Sequence, residues 1–219
     1  MNLNAIIVGA TGLVGSKLTR LLLDDFRFAT IHVFVRHSTG IEHKKLIEHI
    51  VDFEKISDWS GLIAGDVLFS TLGTTLKKAG SKEKQYHIDF DYQYEVAKAA
   101  AKNGVEKLVL VSSLGANSKS AFFYSRMKGE LETAVQKLPF KKIMILRPSI
   151  LTGRRKEKRS AENFTRIIIR LLTGFMLKKY RPIHAGIVAQ AMLNAVFYNN
   201  FISGTFIYQY EELFILGDG

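Results

Sequence analysis

Residues 6–15 read Ile6-Ile7-Val8-Gly9-Ala10-Thr11-Gly12-Leu13-Val14-Gly15, an apolar run followed by three glycines at three-residue spacing. The apolar run is typical of a buried strand, and a helical pattern follows the last glycine. At such a corner Gly9 permits the tight turn, Gly12 lets the backbone approach a ligand, and Gly15 permits close packing of helix on sheet. The helix also points free N–H groups at an anion. The stretch therefore predicts a site for the pyrophosphate of a dinucleotide, formed by Gly9, Thr11, Gly12, Leu13, Val14 and Gly15.

The end of the second predicted strand indicates which dinucleotide binds. Residues 31–36 end on Arg36, where enzymes that use NAD usually place a carboxylate for the ribose hydroxyls. A guanidinium accepts no hydrogen bond but pairs well with a phosphate, so Arg36 favours NADP. The alternative is a solvated arginine at a strand end. Asp52 and Phe53 follow the third apolar run, where they either border the adenine or simply end a strand.

The composition fits one globular domain. The chain has 219 residues, of which 47% are hydrophobic and 23% charged, enough for one sizeable core and too few for two full domains. The absence of cysteine excludes disulfides, thiolate metal sites and a cysteine nucleophile. The six histidines include no pair at helical metal-binding spacing, so we expect no metal site.

The net charge of +11 is compatible with nucleic acid, an acidic membrane or a polyanionic ligand such as NADPH. We favour the ligand, because the densest basic run, residues 154–159, is broken by Glu157 and lacks interleaved aromatic residues. That run is typical of a solvated loop. We therefore do not expect nucleic-acid binding.

The first residues continue directly into a strand, with neither a basic leader nor a cleavage site. No apolar run approaches the roughly 20 residues that a membrane span requires. From these two observations we expect a cytoplasmic protein without a transmembrane segment.

The apolar runs alternate with helical patterns along the chain, which predicts an α/β fold with a doubly wound parallel sheet, the Rossmann fold. We expect two long helices at residues 86–102 and 121–138, because each pattern ends in helix breakers. The predicted strands lie near residues 3–9, 30–36, 47–51, 66–71, 107–113 and 142–147.

The pattern changes after residue 148 to a basic loop, helices at about 161–176 and 184–198, and a strand near 205–208. This tail is too short to fold alone, so we expect one domain over residues 1–219, in which residues 150–219 contribute a small cap on the substrate side. The apolar face of helix 161–176 would cover the sheet edge or the substrate pocket. The alternative is a membrane-surface helix or a dimer helix, the latter giving a homodimer.

The fifth predicted strand delivers two hydroxyls, Ser112 and Ser113, at its carboxyl end, where open α/β sheets bind ligands. Tyr124 and Lys128 follow on a helical segment, one turn apart on the same face. The ammonium favours the phenolate and so brings the phenol proton within reach of acid-base chemistry. We expect Tyr124 to donate a proton, Lys128 to bind the nicotinamide ribose as well, and a strand-end serine to bind the substrate oxygen.

The same Tyr-x-x-x-Lys spacing occurs at Tyr94 and Lys98. No strand ending in serines precedes this second pair, so we interpret it as a coincidence on a solvated face. The ordered set of glycine turn, serine strand end and Tyr/Lys helix is the stronger signal.

In this order the residues resemble the short-chain dehydrogenase/reductase superfamily, in its extended and atypical branches. The chain is most similar to the Tat-interacting oxidoreductase family of NADPH-binding proteins, through Gly9-x-x-Gly12-x-x-Gly15, Leu72-Gly73-Thr74-Thr75, Lys78-Ala79-Gly80, Asp89-x-x-Tyr92, Val111-Ser112-Ser113-x-Gly115-Ala116, Tyr124-x-x-x-Lys128-Gly129-Glu130 and Arg147-Pro148.

The resemblance implies a cofactor contact at Gly73, a catalytic pair of Tyr124 and Lys128, and a backbone around Pro148 that faces the nicotinamide. Between the two serines it favours Ser113 as the catalytic hydroxyl, since the second serine of such strand ends usually turns to the substrate. The expected catalytic residues are therefore Ser113, Tyr124 and Lys128, and the remaining cofactor contacts are Arg36, Asp52, Phe53, Leu72, Gly73, Thr74, Ser112 and Pro148, besides Tyr124 and Lys128.

One departure concerns Asp89, which stands where many family members have an asparagine that relays protons. The sequence thus predicts an NADPH-dependent reductase acting on a carbonyl of a small organic substrate. The alternative is a regulator of the NmrA-like type that senses a dinucleotide without turnover. An epimerase or isomerase is the third reading, against which the lack of a large carboxyl-terminal domain counts.

Overall fold

The computed structural model describes residues 2–153, 181–198 and 201–218. Its main sheet has seven parallel strands in the order β3-β2-β1-β4-β5-β6-β9. These strands are β1 Leu3–Val8, β2 Phe28–Val35, β3 Leu46–Ile50, β4 Val67–Ser70, β5 Lys107–Val111, β6 Lys142–Arg147 and β9 Gly204–Gln209. A second, two-stranded sheet pairs β7 Leu151–Thr152 with β8 Ile183–His184.

Helices connect the strands and cover both faces of the main sheet. The described helices are α1 Gly15–Asp24, α2 Ile56–Trp59, α3 Leu76–Ala79, α4 Lys82–Tyr86, α5 Tyr92–Lys102, α6 Phe123–Val135, α7 Ala185–Phe197 and α8 Glu211–Asp218. A π-helical turn, His87–Asp91, joins α4 to α5. No helix in the described part of the chain is long and apolar enough to cross a bilayer.

The alternation of side chains along β1 explains how one sheet builds two cores. Ile7 lies in one apolar cluster with Leu18 of α1 and Met192 of α7. Ile6 lies in the other cluster with Leu131 of α6. Because successive side chains of a strand point to opposite faces, a continuous apolar run is buried on both sides. The predicted doubly wound parallel sheet is therefore confirmed.

The element boundaries differ from the predictions where the chain departs from simple helix geometry. The helical segment predicted at 86–102 begins earlier, with α4, and contains the π turn. The helix predicted at 121–138 spans only Phe123–Val135. Helix α8 was not predicted. The predicted helix at 161–176 and the basic run at 154–159 lie outside the described residues.

The strand β9 closes the sheet on the side of β6. The two strands pair in parallel from Lys142↔Gly204 to Arg147↔Gln209. Lys142 is buried at this junction, and its ammonium donates a hydrogen bond of 2.5 Å to the carbonyl of Tyr198, just after α7. This part of the tail therefore extends the main sheet.

The strand order places a topological switch point beside β1. The chain runs from β1 outward to β3, then returns to build β4, β5, β6 and β9 on the other side. In open α/β sheets, ligands bind outside the carboxyl ends of the strands at this point. The loops after β1, β4 and β5 meet there.

Candidate functional site

The glycine loop after β1 has the geometry that its sequence predicts. Gly9 has a φ of +84°, and a Cβ there would lie 2.6 Å from the Thr71 carbonyl carbon. A Cβ at Gly15 would lie 2.1 Å from the Gly9 oxygen, and one at Gly12 3.1 Å from the same atom. Any larger side chain would therefore displace backbone at Gly9 and Gly15.

The start of α1 provides donors for an anion. Among the described residues, the backbone N–H groups of Leu13 and Val14 have no hydrogen-bond acceptor, whereas the Ser16 N–H donates to the Gly12 oxygen. Unpaired N–H groups at a helix start favour negative charge. The close approach at the glycines and these amides fit a dinucleotide pyrophosphate.

Arg36 is exposed at the end of β2, and two nearby carboxylates are bound by other groups. Glu48 accepts hydrogen bonds of 2.7 Å from the Ser38 hydroxyl and 2.9 Å from the Thr39 N–H. Glu54 accepts hydrogen bonds from the Tyr92 hydroxyl and from His87. In the described part of the chain the Arg36 guanidinium has neither an ion pair nor a hydrogen bond. It is therefore available to an incoming phosphate.

Asp52 and Phe53 follow β3, which ends at Ile50. The Asp52 carboxylate accepts a 3.0 Å hydrogen bond from the Glu54 N–H and so caps a short 3₁₀ turn. Phe53 is buried and packs edge-on against Trp59, with ring centroids 5.3 Å apart. The Phe53 ring thus belongs to the core, and contact of either residue with an adenine stays a prediction.

The loop after β4 is fastened to a buried carboxylate. The Thr74 N–H donates a 2.7 Å hydrogen bond to Asp89, which is fully buried in the π turn. The half-buried Leu72 packs against the core, and the exposed Gly73 has the Asp89 carboxylate beside it. Burial raises the pKa of Asp89, while the positive charge of Lys128 opposes that rise.

Tyr124 and Lys128 occupy the first two turns of α6 with different environments. The tyrosine is 43% exposed, whereas the lysine is 3% exposed. Among the described residues the Lys128 ammonium makes no hydrogen bond or ion pair, and its positive charge acts on the carboxylate of Asp89. An exposed phenol one turn from a buried, free cation is an arrangement suited to proton transfer.

The second pair at the same spacing lacks these properties. Lys98 is exposed and lies 3.4 Å from Glu95 in a surface ion pair. Tyr94 packs beside Phe90, with ring centroids 5.9 Å apart. Lys98 is thus solvated as the sequence predicts, whereas Tyr94 is partly buried against the core, so the pair has neither an exposed phenol nor a buried cation.

The two strand-end serines have different surroundings. Ser112 is buried, and its hydroxyl donates a 2.5 Å hydrogen bond to Glu132 of α6. Ser113 is half-buried, and within the described ranges its hydroxyl makes only a long, 3.3 Å hydrogen bond to the Leu114 oxygen. Pro148 is also buried, and its carbonyl oxygen accepts a 2.9 Å hydrogen bond from the Leu114 N–H. The Ser113 hydroxyl is thus the one left for a ligand.

Sequence reasoning missed Glu132, which also forms an ion pair with Arg147 at the end of β6. The Arg147 Nη2 and Glu132 Oε2 atoms lie 2.5 Å apart. A signal was present, because Glu132 lies two helical turns after Tyr124 on the same face. Sequence reasoning also missed the stacking of His32 on His49, with ring centroids 5.3 Å apart. No group of three metal-ligating side chains occurs in the described ranges.

Comparison with known proteins agrees with the fold and with the binding of a dinucleotide. A family model described as NAD(P)H-binding matches residues 9–166. Protein FMP52, mitochondrial, of Candida albicans is 39% identical over 166 residues, which cover 74% of this chain and 72% of that protein. Its Aspergillus niger counterpart is 34% identical over 205 residues, covering 88% and 86%.

A solved structure of similar fold is that of a short-chain dehydrogenase/reductase superfamily protein from Agrobacterium tumefaciens with bound NAD. It has a TM-score of 0.67 and 15% identity, and the match covers 97% of this chain and 81% of that one. At this identity the likeness shows the fold.

The relatives also correct one expectation. Proteins of the FMP52 group are named mitochondrial, so the expected cytoplasmic location is wrong. That expectation rested on the strand-like first residues and on the lack of a long apolar run, and neither feature determines the compartment.

Family match, relatives and fold agree on one assignment. The chain belongs to the NAD(P)H-binding family.

Proposed function

We propose that this protein is an NADPH-dependent oxidoreductase that reduces a carbonyl of a small organic substrate. The observation that carries the proposal is the exposed phenol of Tyr124 one helical turn before the buried ammonium of Lys128, which makes no hydrogen bond or ion pair within the described part of the chain. These groups and the Ser113 hydroxyl lie on the loops and helix that follow β5, at the switch point of the sheet.

In the proposed reaction the bound cofactor supplies a hydride to the carbonyl carbon. Tyr124 donates its phenolic proton to the carbonyl oxygen, so the C=O group becomes CH–OH. Ser113 holds that oxygen by a hydrogen bond. Lys128 stabilises the phenolate that remains and binds the nicotinamide ribose. The buried position of the ammonium strengthens its effect, because little water screens it.

Arg36 is the basis for choosing NADPH over NADH. Its guanidinium is exposed, and the neighbouring carboxylates of Glu48 and Glu54 are already bound by neutral hydroxyls, a backbone amide and His87. A ribose 2′-phosphate would thus meet an unpaired cation. A bidentate pair of this kind contributes roughly 1.5–3 kcal/mol, or about 10- to 150-fold in affinity.

We further propose that residues 150–219, besides extending the main sheet, contribute the cap on the substrate side, and that the protein acts in mitochondria, the compartment named for its relatives. Subcellular fractionation with matrix and membrane markers tests the location. Size-exclusion chromatography with light scattering tests whether the protein is a homodimer.

The catalytic test compares Tyr124→Phe with Tyr94→Phe, which alters the tyrosine of the control pair. NADPH oxidation is measured against a panel of aldehydes, ketones and quinones. Loss of the acid lowers kcat by about 100-fold or more, whereas the control variant keeps wild-type activity. Full activity of Tyr124→Phe would refute the acid role. Firm NADPH binding without turnover on any substrate would favour the dinucleotide-sensing regulator.

The cofactor test compares Arg36→Ala with Arg20→Ala, which removes the same charge from an exposed position on α1. Fluorescence titration gives the Kd of NADPH and NADH for each variant. Arg36→Ala should abolish the preference for NADPH, while Arg20→Ala keeps it. Equal binding of both cofactors by the wild type would contradict the phosphate contact.

A further inference from the structure

We propose that Glu132 is a positioning residue whose buried carboxylate sets the distance between the Ser113 hydroxyl and the Tyr124–Lys128 face of α6. This inference rests on the proposed function, because it concerns the geometry of that same site. Nothing in the proton or hydride transfer itself requires Glu132.

The carboxylate binds two other chain segments at once. Its Oε1 atom accepts a hydrogen bond of 2.5 Å from the Ser112 hydroxyl and one of 3.0 Å from Nε of Arg147. Its Oε2 atom accepts a hydrogen bond of 2.5 Å from Nη2 of Arg147. The Glu132 side chain is 3% exposed. The hydrogen bond to Glu132 raises the pKa of Arg147, so the guanidinium stays charged. Such bidentate, charge-assisted bonds fix direction as well as distance.

Each partner stands next to a segment of the proposed site. Ser112 directly precedes Ser113, and Arg147 directly precedes Pro148. The backbone ties these segments together, through the Ser112 N–H bound to the Leu146 oxygen and the Leu114 N–H bound to the Pro148 oxygen. A shift of Glu132 would therefore move the Ser113 end of β5 relative to α6.

The helix carries Tyr124, Lys128 and Glu132 at intervals of four residues, which places all three on one face. Apolar packing by Leu131 and Val135 already attaches α6 to the sheet. Apolar contacts are not directional, so they alone permit small rotations and translations of α6. The ion pair to Arg147 is directional and therefore fixes one orientation of the helix. We therefore assign the carboxylate an orienting role beyond its contribution to stability.

The test is a double-mutant cycle in the full-length protein with NADPH and the best substrate of the panel. Glu132→Gln keeps the shape and an acceptor for Ser112 but removes the charge that holds Arg147. We measure kcat, KM and the NADPH Kd for the wild type, Glu132→Gln, Ser113→Ala and the double variant. Glu95→Gln, which breaks an exposed ion pair with Lys98, is the control.

We expect Glu132→Gln to lower kcat by at least about tenfold while the NADPH Kd changes by less than about twofold. In the Ser113→Ala background its effect on kcat should fall below about threefold, because both substitutions act through the same hydroxyl. An equal loss in both backgrounds, or an unchanged kcat, would overturn the inference. General damage to the fold would lower kcat equally in both.

A second variant covers the case in which Glu132→Gln does not fold. Arg147→Lys keeps the charge but loses the two-pronged contact, and it should show the same dependence on Ser113. Wild-type kcat in this variant would overturn the inference. If Tyr124→Phe is inactive while Glu132→Gln is unaffected, this inference alone fails. If Tyr124→Phe is fully active, the proposed function fails and this inference with it.

Discussion

Gly15→Ala adds one methyl group at the point where α1 passes over the end of β1. The new Cβ would lie 2.1 Å from the Gly9 oxygen and 2.6 Å from the Thr71 hydroxyl oxygen. Neither neighbour can retreat freely. The Gly9 oxygen accepts a 2.9 Å hydrogen bond from the Gly12 N–H, and the Thr71 hydroxyl donates 2.8 Å to the Val8 oxygen.

Relief of the clash requires a backbone shift of about 1 Å, and overpacking of this kind costs about 1–3 kcal/mol. Loss of one of the two hydrogen bonds adds about 1 kcal/mol. We expect the free energy of unfolding to fall by about 3 kcal/mol and, at 2–4 °C per kcal/mol for a chain of this size, the Tm to fall by about 6–12 °C. The displaced turn should also weaken NADPH binding by at least about tenfold.

Urea denaturation and NADPH titration of the same preparations check both effects. Gly61→Ala is the matched control, because a Cβ at Gly61 meets nothing within 4 Å. The control should keep wild-type stability and affinity. If Gly15→Ala unfolds at the wild-type urea concentration and binds NADPH as well as the control, the close packing of α1 on the glycine loop is refuted.

Other side chains of the site and the sheet give further tests. Asp89→Asn keeps a hydrogen-bond acceptor but removes a negative charge near the proposed catalytic lysine, so the Tyr124 phenolate gains stability. The alkaline limb of the pH profile of reduction should therefore move to lower pH. An unmoved limb would contradict the electrostatic interaction of Asp89 with Lys128. Gly129→Ala places a Cβ 2.2 Å from a backbone nitrogen of the loop before α6. We expect kcat to fall more than NADPH affinity, and the free energy of unfolding to fall by about 2 kcal/mol. Wild-type kcat together with wild-type stability would exclude the clash. Burial lowers the pKa of His32 and of His49 below 6.5, so the unfolded chain takes up protons first as the pH falls and the folded state loses stability. His87, whose pKa is raised by its hydrogen bonds to carboxylates, acts in the opposite sense. Because His49→Gln removes one of the two destabilising histidines, urea denaturation between about pH 7.5 and 5.5 should show a smaller loss of stability for this variant than for the wild type. Equal losses would disprove the effect.

The sequence predicts those parts of the site that depend on neighbouring residues. Gly9 and Gly15 lie in the same short connection between β1 and α1, and the apolar run before them predicts a strand that is buried on both faces. The Tyr124–Lys128 pair follows from helix periodicity, since both residues lie within α6. Local pattern is sufficient in each case because the interacting groups are close along the chain.

The parts that sequence reasoning missed depend on contacts between distant segments. Glu132 reads as an ordinary helix residue until β5 and β6 bring Ser112 and Arg147 to it. Asp89 is buried because a π turn replaces regular helix there, and the sequence pattern gives no indication of that turn. The choice between the strand-end serines likewise depends on which hydroxyl meets the Glu132 carboxylate.

The pairing of β9 with β6 has a consequence for the order in which the chain is made. Ribosomal synthesis delivers the first six strands of the main sheet well before residue 204, so β6 remains a bare edge in the meantime, and bare edges invite pairing with other chains. Lys142 begins β6, and its inward-pointing ammonium would have to be desolvated by any foreign strand. Once α7 and β9 arrive, the same ammonium finds the Tyr198 carbonyl. We therefore expect Lys142 to have two effects: it attaches β6 to the end of α7 in the folded protein, and it disfavours aggregation through the β6 edge during synthesis.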